Sequence, residues 1–285
     1  VDLYESNRFF RKCDIVLSMT SLSRPVSFAD FRELVLATDP DAVKAPARIP
    51  PPWLLGREGA VTAHYIPFDY VNLEARVVLV GISPGFVQWK NAVREARCQM
   101  LAGASDFDAL RAAKYTGAFS GAIRPNLVAL LDHIGLQRWL GIASCATLFG
   151  ADSRLMHVTG VLRQPVFVDG KNYNGASPNM LTHPLLREQM LDYFAVEAAQ
   201  LADAVFVPLG PKVGLALAWL ARRGVLLEER ILQGLPHPSG ANMERIAYFL
   251  GRKEKAALSS RTNGDQIDAD RRLLAARMAA LTVSA

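Results

Sequence analysis

Nine residues, Val77-Val78-Leu79-Val80-Gly81-Ile82-Ser83-Pro84-Gly85, constrain this chain more than any other stretch. Aliphatic residues run from Val77 to Val80 without polar alternation, the pattern of a strand buried on both faces of a parallel sheet. The run stops at Gly81, and Pro84-Gly85 imposes a turn. Loops at the carboxyl ends of such strands are where α/β proteins bind ligands, although the same pattern also serves as a plain buried strand and turn.

The rest of the chain reads as helices alternating with short strands. Ser27-Phe28-Ala29-Asp30 is a capping box for a helix through Leu36. Four prolines between Ala45 and Trp53 make an extended connector. Helices are expected over Ala92–Leu101 and Phe107–Lys114, from Pro125 to Gly135, from Pro184 to Leu201, over Val213–Arg223, from Asn242 to Leu258 and from Gln266 to Leu281. Residues 156–168 read as one or two strands broken near Pro165. Ala204-Val205-Phe206-Val207-Pro208-Leu209-Gly210 repeats the apolar-strand-then-turn pattern, and Ile231-Leu232 is a further short strand. This alternation predicts an α/β protein, a three-layer α/β/α sandwich with a central, mostly parallel sheet. Residues 1–60 are expected to wrap the core as an arm, 61–258 to form the main domain, and 259–285 to add a basic C-terminal helix packed on it.

A second strand ends in Gly234-Leu235-Pro236-His237-Pro238-Ser239-Gly240. In a parallel sheet this loop and Gly81–Gly85 emerge at the same edge. Prolines on both sides hold His237 on a stiff backbone, which suits a catalytic imidazole and equally a histidine in a tight surface turn.

The pair Gly81-Ile82-Ser83-Pro84-Gly85 and His237-Pro238-Ser239-Gly240, in this order and about 150 residues apart, resembles the two motifs of the uracil-DNA glycosylase superfamily. The resemblance spans roughly residues 60–255. It implies a base flipped out of DNA into a pocket and cleavage of its N-glycosidic bond. His237 would donate to the oxygen of the departing base, a contribution of about 3–4 kcal/mol for such a donor. Gly81, Ile82, Pro84 and Gly85 would line the base pocket. Ser239 would contact a phosphate. Gly240, Ala241, Asn242 and Met243 would enter the minor groove beside Pro238, with Met243 as the apolar wedge. No metal or other cofactor is implied.

The chain departs from that pattern at two places. Ser83 stands where the family usually carries a carboxylate or amide that positions the attacking water; a hydroxyl either holds a water or caps the turn, and it is a weak base near neutrality. Gly160 falls where an asparagine usually reads the base. Asn172 and Asn174 offer amides instead, or serve as ordinary turn residues. Phe86 and Trp89 are each either the stacking platform for the base or core.

Composition sets the remaining bounds. With 285 residues, 51% of them hydrophobic and 21% charged, the chain can bury a full core. A net charge of +5 leans mildly towards a polyanionic partner such as DNA, single- or double-stranded. Cys13, Cys98 and Cys145 are scattered, which fits a reducing, cytoplasmic location and leaves no iron–sulfur or zinc framework. The apolar run Ile15-Val16-Leu17 is too short for a membrane span or a signal segment. Three readings stay open: a glycosylase acting on uracil or another deaminated base, a relative that binds nucleic acid without that activity, and an unrelated α/β enzyme acting on a nucleotide-like small molecule.

Overall fold

The computed structural model describes residues 25–117 and 123–283; residues 1–24, which hold Cys13, the Ile15–Leu17 run and the start of the expected arm, lie outside them. Seven strands are described: β1 (Leu54–Glu58), β2 (Val61–His64), β3 (Val77–Gly81), β4 (Met156–Gly160), β5 (Val166–Val168), β6 (Lys171–Asn172) and β7 (Val205–Pro208). The helices are α1 (Phe28–Ala37), α2 (Phe86–Leu101), α3 (Asp106–Gly117), α4 (Ile123–His133), α5 (Leu136–Leu140), α6 (Pro184–Gln189), α7 (Val196–Ala199), α8 (Pro211–Ala221), α9 (Met243–Phe249) and α10 (Gly264–Val283).

β3 is the middle strand of a parallel sheet of order β4-β3-β7. Val77 lies opposite Met156 on one side and Val205 on the other. A parallel bridge from Phe206 to Ile231 continues the pairing past β7. Successive side chains of a strand face opposite ways. Val78, Val80 and Phe206 therefore pack with Leu186, Phe194 and Leu217 on one face. Val77, Leu79, Val205 and Val207 pack with Leu127, Leu131, Phe249 and Leu274 on the other. Helices thus cover both faces, and this is why the strand needs an unbroken apolar run. Each of these fully buried side chains contributes about 1.5–3 kcal/mol of transfer free energy.

A single central sheet, however, does not describe the molecule. A second, antiparallel sheet of order β1-β2-β5-β6 stands beside the first. Its strands are two to five residues long, too short for a clear hydrophobic period. Pro165 separates β4 from β5 and delivers them to different sheets. The proline-rich connector is not a loose strap: it forms two 3₁₀ turns, Pro46–Arg48 and Pro51–Trp53. Trp53 is fully buried against Tyr65, Trp89 and the α1 residues Phe31 and Val35. At the start of α1 the Ser27 backbone N–H donates to the Asp30 carboxylate at 2.8 Å, as the capping box predicts.

Two helices differ most from their expected extents. α2 begins at Phe86, directly at the end of the first Gly/Pro loop. The helix expected from Asn242 to Leu258 ends at Phe249, because Gly251 at φ 71° closes it with a bond from Arg252 N–H to Ala247 O at 2.8 Å. The segment from Pro184 to Ala199 is helical as expected, with a π-helical middle from Met190 to Ala195.

Past the end of β4 the chain stays against the first Gly/Pro loop. Val161 N–H donates to Gly81 O and Leu162 N–H to Ile82 O, each at 2.9 Å. A Cβ on Gly160 would meet Leu162 O at 2.8 Å and Ile82 O at 3.2 Å. Both are backbone atoms that cannot swing away, so no side chain fits here. Gly160→Ala is expected to lower stability by about 1–3 kcal/mol, the usual cost of overpacking. An unchanged denaturant midpoint would show that the two backbones are not held this close.

Candidate active site

Three strand-end loops converge on one cavity of about 490 Å³, a size suited to a small ligand or a single flipped base. β3 contributes Gly81, Ile82, Ser83 and Pro84; the loop after β7 contributes Leu209, Gly210, Pro211 and Lys212; the loop after Ile231 contributes His237. Gln88, Thr159, Gly160, Tyr173 and Asn174 complete much of the wall, and Phe68 and Lys114 close one side. Among the described residues the lining contains no carboxylate.

His237 is half-buried, and its Nδ1 accepts a bond from the Ser239 backbone N–H at 3.2 Å. With Nδ1 occupied as an acceptor, the neutral ring carries its proton on Nε2, which makes Nε2 a donor. Burial lowers the imidazole pKa from its ordinary 6.5, so the neutral donor is the form present at pH 7. The ring lies against Gly210, where a Cβ would come 3.4 Å from His237 Cδ2. Gly210 also sits at φ 103°, which disfavours any other residue there.

Ser83 lines the cavity, but its hydroxyl is engaged in bonds to the backbone around β5. It donates to Gln164 O at 3.2 Å and accepts from Val166 N–H at 3.0 Å. In this geometry it ties the first loop to the β4–β5 connection.

The other predicted residues divide between cavity and scaffold. Asn174 lines the cavity, and its Oδ1 accepts from Ala176 N–H at 3.0 Å in a local turn. Asn172 lies outside it: its Oδ1 accepts from Phe86 N–H at 3.0 Å, capping α2 from the second sheet. Trp89 is fully buried, donates from Nε1 to Tyr65 O at 3.0 Å and meets Trp53 edge-on at 5.1 Å. It is core and cannot be a stacking platform. Phe86 stacks on Trp89 at 6.1 Å outside the cavity lining, and Gly85 likewise lies beyond the lining, at the N-cap of α2. The aromatic walls are Phe68 and Tyr173. Neither stood out in the sequence, because single aromatics in loops carry no period; Lys212 follows a strand-and-turn repeat that was visible there.

The second loop continues as the sequence suggests it should. Gly240–Asn242 is a 3₁₀ turn leading into α9, and Met243 is 50% exposed. Ser239 Oγ accepts from Asn242 Nδ2 at 3.0 Å. Asn126 of α4 holds the loop from the other side, donating to Pro238 O at 3.0 Å.

Behind the Phe68 wall lies a buried polar cluster. Lys114 Nζ donates to Phe68 O at 3.2 Å, Tyr70 O at 2.8 Å and Glu197 Oε1 at 3.2 Å. Burial lowers the Lys114 pKa from its ordinary value, and the Glu197 carboxylate opposes that shift. His157 Nε2 lies 2.6 Å from the same carboxylate oxygen, and its Nδ1 accepts from Asn72 N–H at 3.3 Å. Burial alone would raise the Glu197 carboxyl, yet Lys114, His157 and Arg163 together hold it well below the usual carboxylate range. Lys114 thus fixes the segment that carries Phe68 while its chain lines the cavity.

Among the described residues no three His, Cys, Asp or Glu converge as a metal site. No described helix is long and apolar enough to cross a membrane.

The uncharacterized protein YoxB of Bacillus subtilis (strain 168) is 34% identical over 219 residues, which cover 76% of this chain and 86% of that protein. The chain belongs to the YoxB family. No family model matches it, and no solved structure matches it. The membership therefore brings a relative without bringing an activity.

Lys114→Met is expected to destabilise the fold by about 3–5 kcal/mol, because it leaves Glu197 buried with one counterion fewer. The double variant Lys114→Met/Glu197→Gln should cost less than the sum of the two single changes, and strict additivity would break the assigned pair. Because the folded-state pKa of Glu197 is depressed, its contribution to stability is full above the ordinary carboxylate pKa. It is lost as pH falls below that range. Glu197→Gln should therefore flatten the acid side of the stability–pH curve.

Proposed function

We propose that the cavity receives a base flipped out of DNA and cleaves its N-glycosidic bond. One observation carries the reading: His237, with Nδ1 occupied by Ser239, presents an Nε2–H donor at a cavity also built by the Gly81–Pro84 loop. As the C1′–N bond breaks, its electron pair passes to the base, and the His237 N–H donates to the base oxygen where the charge gathers. Water then adds to the sugar carbon and loses its proton to solvent. Phe68 and Tyr173 supply the flat walls for the base. Met243, exposed just after the His237 loop, would fill the space that the base leaves in the duplex.

The absence of a carboxylate from the described lining residues and the engagement of Ser83 favour a second reading. It is a relative that holds nucleic acid in the same cavity without breaking the bond. Its signature is salt-dependent DNA affinity with no base release.

Oligonucleotides carrying uracil, hypoxanthine or xanthine, single- and double-stranded, should be cut at the lesion after alkali treatment. His237→Ala should lower the single-turnover rate by about a hundredfold or more. Since the working form is the neutral imidazole and burial depresses its pKa, activity should fall only on the acid side of pH 6.5. DNA binding without release of any of these bases would leave the second reading; a full rate in His237→Ala would remove the histidine from the chemistry.

A further inference from the structure

A second and larger cleft, of about 720 Å³, lies between α10 and the corner joining α4 to α5. Arg138 of α5, Arg271 and Arg272 of α10 and His133 of α4 line it. Among the described residues Asp268 is the one carboxylate in the lining, and it is already occupied. It accepts from Tyr248 OH at 2.9 and 3.0 Å and pairs with Lys255 at 2.9 Å. Arg271 reaches it only at 3.9 Å. Among the described residues no carboxylate lies within ion-pair distance of Arg138 or Arg272. The crowding of positive charge is felt by His133, whose imidazole is lowered first by burial and then by Arg271 and Arg252.

The wall also has an aromatic side. Trp139 is half-buried, with the Arg76 guanidinium 4.3 Å from its ring centroid. Phe249 meets the His133 ring at 5.6 Å. The cleft is separate from the first cavity. Asn126 near the start of α4 touches the His237 loop, whereas His133 at the other end of that helix lines the cleft. Seven residues of helix separate them by about 10 Å.

We infer that this cleft is a second binding site for a nucleotide, its phosphate held by Arg138, Arg271 and Arg272 and its ring set against the Trp139 side. Guanidinium groups match phosphate oxygens in geometry as well as charge. The volume exceeds what an anion alone would fill and lies within the ordinary range for small-ligand sites of about 300–1,000 Å³. The nucleotide comes either free or as a unit of a nucleic-acid strand; both present the same phosphate and ring.

Calorimetric titration of the full chain at low salt tests this with ADP, adenosine, inorganic phosphate and a single-stranded oligo-dT. ADP is expected to bind saturably, with adenosine and phosphate each at least tenfold weaker. Arg138→Gln/Arg272→Gln should weaken ADP at least tenfold, and so should Arg272→Glu, a single change at an exposed position. His237→Ala should bind ADP as the unaltered chain does. Displacement of ADP by oligo-dT, lost in the arginine variants, would identify a strand as the source; failure of oligo-dT to displace it would identify the free nucleotide. No saturable ADP binding, ADP affinity unmoved by the arginine changes, or phosphate binding as tightly as ADP would each overturn the proposal.

Discussion

The geometry of the cavity depends on one backbone contact, the approach of the chain at Gly160 to Ile82 and Ser83. Two N–H to carbonyl bonds, from Val161 and Leu162, hold the first Gly/Pro loop past the end of the sheet. The Ser83 hydroxyl adds two more bonds, to Gln164 and Val166. Loops that leave strand ends are normally the softest part of an α/β protein. Here the loop is held on its far side by the start of the second sheet, and Asn172 from that sheet also caps α2. The antiparallel sheet thus acts as a bracket that sets the shape of the cavity without supplying its chemistry.

That contact also bears on the two positions where the chain departs from the motifs it resembles. An asparagine in place of Gly160 would drive its Cβ into two carbonyl oxygens. A carboxylate in place of Ser83 would lack the hydroxyl proton given to Gln164 O. At Gly160 the touching backbones leave no room for a projecting side chain, and the Ser83 hydroxyl is taken up by the backbone around β5. The burden of any chemistry moves to the opposite loop, where His237 is fixed between Pro236 and Pro238 and seated on Gly210.

The parallel core was legible in the sequence because Val77–Val80 and Val205–Val207 are buried on both faces and so show unbroken apolar runs. Both Gly/Pro loops were legible because proline and glycine act locally. The second sheet was not, since strands of two to five residues leave no period. Asn172 and Trp89 were visible as residue types, but their work is set by distant partners, Phe86 across 86 positions and Tyr65 through a backbone carbonyl. Lys114 read as an ordinary helical lysine; only the fold carries it inward to Glu197 and His157. Phe68 and Tyr173 gained meaning from the cavity that they wall.

A wall that offers His237 as a donor and Lys212 beside it, with no carboxylate among the described lining residues, favours occupants that carry negative charge. On the proposed chemistry this preference does not end with bond cleavage. The freed base, still an anion, sits against the same donor that eased its departure, while a neutral base fits less well. Protonation of the product then becomes the event that loosens it. On that proposal, release of the base would follow its protonation, and a product that is more acidic in water would occupy the cavity longer.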